Sequence, residues 1–313
     1  MLNKTKVLVI ANNKGGVGKS LISQLIATYL AHKKKLKVLA LDFDPQGNMS
    51  HRFLKDDRVR NMSNYQPPLH PDFNPNDPDD DDWSGKSSAL DMWTGQPVVP
   101  YPTELENLDV LPSDASLIRA IENFEFADSV ETIIERPYAF FNLDEFAECG
   151  YDVVIVDTPP AKGPLTSAAI RAATHVLLPI ELSNKSLQGL SGMIDLIMRQ
   201  NHYRPATNQT KNLGLFMNKV AYTKRQPQQR VIDTIERNPM LKDLLLREIV
   251  LHDSPRAIDI DEDQAPLTAP WTELKEGDRF ADETSALGEY IYTSLGFGKA
   301  LSKARKQTAE EGA

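Results

Sequence analysis

Cysteine is almost missing from this 313-residue chain: Cys149 stands alone, so there is no disulfide framework. Histidine is scarce too, six in all and scattered, with no spacing that would gather a metal ion. No apolar run approaches the roughly 20 residues that span a bilayer. The first strand begins close to the N-terminus, with no secretory signal ahead of it. These absences lead us to expect a cytoplasmic protein. Positive charge is also short: 35 Lys and Arg against 44 Asp and Glu leave a net −9, which excludes a surface basic all over. Hydrophobic residues, at 41%, are enough for a full core, and their even spread favours one domain over residues 1–313.

What is present is a glycine-rich turn with one lysine too many. The apolar run Val7-Leu8-Val9-Ile10-Ala11 leads into Asn12-Asn13-Lys14-Gly15-Gly16-Val17-Gly18-Lys19-Ser20, and a helical pattern starts at Leu21. Strand, glycine turn and helix are the context of a phosphate cradle. Glycines let successive backbone N–H groups point inward, the helix N-terminus adds partial positive charge, and Lys19 reaches the terminal phosphates. Ser20 has the hydroxyl expected to hold Mg²⁺. An ordinary loop has glycine six residues before Lys19; this chain has Asn13 there and Lys14 beside it. A second lysine so near the phosphates is hard to explain as a surface charge.

Two carboxylates complete the chemistry. Phosphoryl transfer to water needs charge neutralisation and an aligned water. Asp44 follows the run Val38-Leu39-Ala40-Leu41, so it projects from the carboxyl end of a strand, where open α/β sheets bind ligands. It is the candidate to position the attacking water. Asp157 ends Val153-Val154-Ile155-Val156 in the same way and is the candidate to hold Mg²⁺ with Ser20. Taken alone, either Asp also fits a turn cap. Asp42, a strand neighbour, is expected on the opposite face. Asn218 ends Leu213-Gly214-Leu215-Phe216-Met217, and its amide suits a purine edge. The next residues, Lys219-Val220-Ala221, supply no carboxylate for guanine, so ATP is favoured over GTP.

The segment Lys14–Ser20 resembles the KGG-x-GK-[ST] loop of the ParA/MinD family of deviant Walker P-loop ATPases. Leu41-Asp42-Phe43-Asp44-Pro45-Gln46-Gly47-Asn48 is similar to that family's second signature, and Tyr151 to Pro160 to its third. The overall pattern is closest to Soj-like ParA proteins without an N-terminal DNA-binding domain. The resemblance implies a homodimer on ATP binding, in which Lys14 crosses to the partner's ATP. It implies nucleotide contacts from Lys14 through Leu21, and Pro255 in a segment near the adenine. It further implies nonspecific DNA binding, with Arg225 and Arg256 in positions where relatives carry basic residues, and a ParB-like partner that triggers hydrolysis. The single cysteine rules out the shared cluster of the related nitrogenase iron proteins.

Strands alternate with helical stretches along the chain, which predicts an α/β fold: a mostly parallel sheet flanked by helices on both faces. A block from about 49 to 100 breaks this rhythm with many prolines and the acidic run from Asp77 to Asp82, and reads as an insertion with a short helix at Ser88–Trp93. Both a solvated loop and a partner-contact element fit it. A polar tail follows from about 299. Against the net negative charge, Lys219, Lys224, Arg225 and Arg230 form a local basic stretch suited to phosphate contacts, and Lys33–Lys37 and Lys299–Lys306 are two further basic clusters. The function expected is an ATP-dependent partition ATPase. The alternatives are a MinD-like membrane regulator, which the glycine-interrupted C-terminal region supports poorly, and a metabolic enzyme on the same fold.

Overall fold

Burial on both faces explains why the inner strands read as unbroken apolar runs. The computed structural model describes residues 5–54, 65–76, 83–116, 121, 129–223, 225–273 and 277–298. Its strands are β1 (Lys6–Ile10), β2 (Val38–Asp42), β3 (Tyr101–Pro102), β4 (Leu108–Leu111), β5 (Val153–Asp157), β6 (His175–Glu181), β7 (Lys211–Val220) and β8 (Leu245–His252). They form one sheet in the order β3-β4-β2-β5-β1-β6-β7-β8. Only β3 runs antiparallel, against β4, so the expected mostly parallel sheet is what forms. Register aligns Ile10 of β1 and Asp42 of β2 with Asp157 of β5, so three strand ends converge at one edge.

Alternate residues of each strand feed opposite faces. Leu8, Ile10, Val38, Ala40, Val153 and Ile155 pack beneath α1 (Lys19–His32). Val7, Val9, Leu39, Leu41, Val154 and Val156 face the other layer. There lie α4 (Val130–Phe140), α6 (Pro164–Ala172) and α7 (Asn184–His202), numbered after the short helices α2 (Asn48–Leu54), α3 (Asp91–Thr94) and α5 (Asp144–Glu148). The chain closes with α8 (Arg225–Arg237), α9 (Pro255–Asp261), α10 (Ala269–Thr272) and α11 (Arg279–Ser294).

In the block read as an insertion, the described residues 49–54, 65–76 and 83–100 include packed elements. It opens with α2, whose Met49 and Phe53 are buried in the core. The short helix forms at Asp91–Thr94, a little later than expected, and Trp93 packs on Phe43 while its indole N–H donates to the Ile133 carbonyl at 2.9 Å. His70 is 5% exposed, its ring in tilted contact with both Trp83 and Tyr101. Aromatic side chains thus anchor the proline-rich chain, a signal that an average over charge and proline hides. The acidic run Asp77–Asp82, and the tail from 299, lie outside the described residues.

A polar tie joins α4, α6 and α7. Arg171, 2% exposed, reaches Glu135 (2.7 Å), Glu131 (2.9 Å) and Gln200 (2.9 Å). A buried guanidinium needs such partners, because an unpaired one is costly to desolvate.

Candidate active site

The turn between β1 and α1 is built by glycines and braced by asparagines. Gly18 has φ +83°, a left-handed conformation that ends the turn, and a β-carbon there would run into the Asn218 amide. Asn218 Nδ2 donates to the Val17 carbonyl (2.8 Å), and Lys219 Nζ to the Gly16 carbonyl (3.1 Å). On the other side, Asn12 donates to the Pro179 carbonyl (2.7 Å) and accepts from the Lys14 N–H (3.0 Å). No side chain caps α1. Its first-turn N–H groups therefore stay available to an anion.

Lys19 is 7% exposed and faces Asp157 and Asp44. Burial pushes the Lys19 ammonium down, with the two carboxylates opposing that shift. Asp157 lies fully buried, and burial pushes its carboxyl up to about 7, with Asp44 adding to the rise while Ser20, Lys19 and Ser23 hold it down. One oxygen, Oδ1, accepts from Ser23 Oγ at 3.3 Å. The other, Oδ2, is buried with no hydrogen-bond donor, an orphan that a hard cation would satisfy. Ser20 and Asp157 therefore fit Mg²⁺ as donors.

Asp44 sits just beyond β2, 7% exposed, in a tight turn. Its N–H donates to Asp42 Oδ1 (3.0 Å), and its Oδ1 accepts from the Gln46 N–H (3.0 Å). Asp42, which the sequence offers no role at the site, organises this turn. Its Oδ2 accepts from both the N–H (2.9 Å) and the hydroxyl (2.7 Å) of Ser50, which in turn accepts from the Ser113 N–H (2.9 Å). Burial and the neighbouring Asp157 hold the Asp42 carboxyl well above the usual range.

Lys14 stands at the rim, its ammonium on the Glu181 carboxylate and hydrogen-bonded to Ser183 and Ser186 (both 3.1 Å). Glu181 terminates β6, and no motif marks it in the sequence. Only the fold places it beside the loop.

A profile of the AAA domain matches residues 5–212, a stretch that holds the loop, Asp44 and Asp157. Soj of Thermus thermophilus, a chromosome-partitioning ATPase, is 27% identical over 191 residues, 61% of each chain. This chain belongs to the ParA/MinD family. Protein IncC of Escherichia coli is 28% identical over 294 residues, covering 93% of this chain and 70% of that one. The chain spans only 61–64% of the length of the chromosome-partitioning relatives Soj and ParA. Apo McdA of Cyanothece has the same fold, with a TM-score of 0.68 at 20% identity over 92% of this chain and 99% of that one.

Within this ParA/MinD fold the remaining candidates are placed as follows. Asn218 is 2% exposed, and its amide nitrogen braces the loop rather than standing free. Pro255 begins α9 behind the Ser254 cap, beyond the end of β8. Arg230 is exposed on α8, and Arg225 opens that helix. Lys224 lies outside the described residues. Arg256 does not stand free: it pairs with Asp278 and donates to the carbonyls of Ala269 (2.9 Å) and Glu273 (3.3 Å), tying α9 to the start of α11. No helix among the described residues is long and apolar enough to cross a membrane.

Proposed function

We propose that this chain is an ATP-dependent partition or positioning ATPase: it binds ATP, closes as a symmetric dimer, binds DNA without sequence preference, and lets go when a ParB-like partner stimulates hydrolysis. The observation that carries this reading is the convergence of Lys19, Asp44 and Asp157 at three strand ends, with Lys14 at the rim. The loop from Lys14 to Leu21 cradles the phosphates, and the β7 and β8 ends, with Asn218 and Pro255, border the base. When bound between Ser20 and Asp157, Mg²⁺ would neutralise phosphate charge. Lys19 neutralises in its own subunit, and Lys14, released from Glu181, does so in the partner. Asp44 accepts a hydrogen bond from the attacking water and aligns it, which is most of what the protein must do in phosphoryl transfer. Contacts to DNA phosphates come from Lys224, Arg225 and Arg230, while Arg256 supports the fold.

The test is phosphate release with Mg²⁺ and ATP, read beside light scattering. Asp44→Ala is expected to lose turnover by about 100-fold and to accumulate as an ATP-bound dimer. A monomer under those conditions, or turnover near that of the unaltered protein, sinks the assignment.

A further inference from the structure

The inserted block reaches back to the catalytic turn through Tyr65, as well as through Trp93 on Phe43. Tyr65 is 2% exposed although it lies in a proline-rich stretch of the chain. Its ring sits against Gly47, the glycine of the Asp44-Pro45-Gln46-Gly47-Asn48 turn, and 4.6 Å from the His51 ring at an interplanar angle of 76°. Gly47 has φ +65°, and a β-carbon there would lie 2.5 Å from Tyr65 Cγ. The glycine is thus required twice, by its backbone conformation and by the ring laid on it. The Tyr65 carbonyl accepts from the Ala115 N–H at 2.8 Å, which fastens the same residue to the segment after β4.

The turn is otherwise held mostly by its own chain. Gly47 N–H donates to the Asp44 carbonyl (2.8 Å) and His51 N–H to the Gly47 carbonyl (2.8 Å). Among the described residues, links from outside it run from Gln24 Nε2 to the Asn48 carbonyl (3.3 Å) and from Asp42 through Ser50 to the Ser113 N–H. Those bonds fix the base of the turn and the start of α2. The Tyr65 ring covers Gly47, where the turn has no side chain of its own to pack.

We propose that Tyr65 is a positioning residue for hydrolysis, its ring clamping the Gly47 side of the turn so that the Asp44 carboxylate stays aimed at the phosphate site. The inserted block is then part of the catalytic apparatus and not an appendage. The inference rests on the reading of Asp44 given above. A misplacement of about 1 Å in a water-positioning group is enough to cost roughly 100-fold in rate, and loss of the ring removes the contact that prevents such a shift.

The experiment compares Tyr65→Ala, Tyr65→Phe and Asp44→Ala for ATP turnover and for dimerisation with ATP. Tyr65→Ala is expected to lower kcat by roughly 10- to 100-fold with KM for ATP within about twofold, because the phosphate loop is untouched. It should still dimerise, and amide exchange at residues 44–51 should quicken. Tyr65→Phe, which keeps the ring, should restore kcat. If Tyr65→Ala melts early, Tyr65→Leu is read in its place, with the same split expected. Unchanged kcat in the Ala or Leu variant overturns the proposal, as does a parallel loss of ATP affinity. Normal turnover in Asp44→Ala, by contrast, overturns the assignment of Asp44 itself, so the two failures are told apart.

Discussion

The proposed function gives the two lysines of the loop different jobs, in keeping with the different places to which they point. Lys19 is buried against Asp157 and Asp44, a place that suits the proposed role on phosphates in its own subunit. Lys14 is held at the rim by Glu181, Ser183 and Ser186, and must leave them to act on another chain. Lys19→Ala is expected to weaken ATP binding by about 100-fold, the worth of one or two charge-assisted hydrogen bonds. Lys14→Ala should keep ATP affinity but lose the closed dimer. Glu181→Gln, which loosens the hold on Lys14, should dimerise at lower ATP than the unaltered protein. Calorimetry and light scattering read both effects, and equal loss of affinity in the two lysine variants would refute the division of labour.

Between elements, polar groups buried in the helix layer are expected to govern stability. Arg171 fastens α6 to Glu131 and Glu135 of α4 and to Gln200 of α7. Arg171→Ala removes these bonds and leaves a cavity, for an expected loss of about 3 kcal/mol in urea unfolding. Arg171→Met, which refills the volume, should recover more than half of it. His175, at the start of β6, is 5% exposed, and burial, followed by Lys211 and Lys6, lowers its pKa from 6.5 to about 4. The unfolded chain therefore takes up a proton near 6.5 while the folded one does so only near 4. Stability falls as pH drops through that window and gains nothing from this group above it. His175→Gln should show a flatter urea midpoint between about pH 7 and pH 4.5; an unchanged slope would remove His175 as a cause.

At the scale of the whole molecule, net charge sets how DNA can be bound. A surface of net −9 opposes nucleic acid except where cations cluster. Two copies related by a two-fold axis double any local footprint. Mobility shifts on two unrelated duplexes should therefore appear only with ATP and weaken steeply with salt, through counterion release. Arg225→Glu with Arg230→Glu should abolish them and leave the ATP-dependent dimer intact. Arg256 is unsuited to this test, because its substitution would leave Asp278 buried without its partner. A double variant that dimerises and still binds DNA would move the patch elsewhere, with Lys33–Lys37 as the next suspect.

The sequence by itself determined the phosphate loop, the strand–helix alternation and the two carboxylates at strand ends. Each of these is local: a glycine turn, an apolar run or a residue following a run carries its own signal in consecutive positions. The positions of Asp44 and Asp157 at strand ends were legible because each follows or closes an apolar run. The tertiary structure alone decided what comes together from distant parts of the chain. Glu181 beneath Lys14, Asn218 under the loop, Asp42 holding the turn through Ser50 and Ser113, and Tyr65 against Gly47 all join separate elements. The packing of the described part of the block from 49 to 100 was hidden for the same reason. Its prolines and acids are read residue by residue, whereas Trp93 meets Phe43 and Ile133 from distant parts of the chain, and His70 meets Trp83 and Tyr101 where the block folds back on itself. Packing energy depends on which surfaces meet, and that is not written in any one stretch of chain.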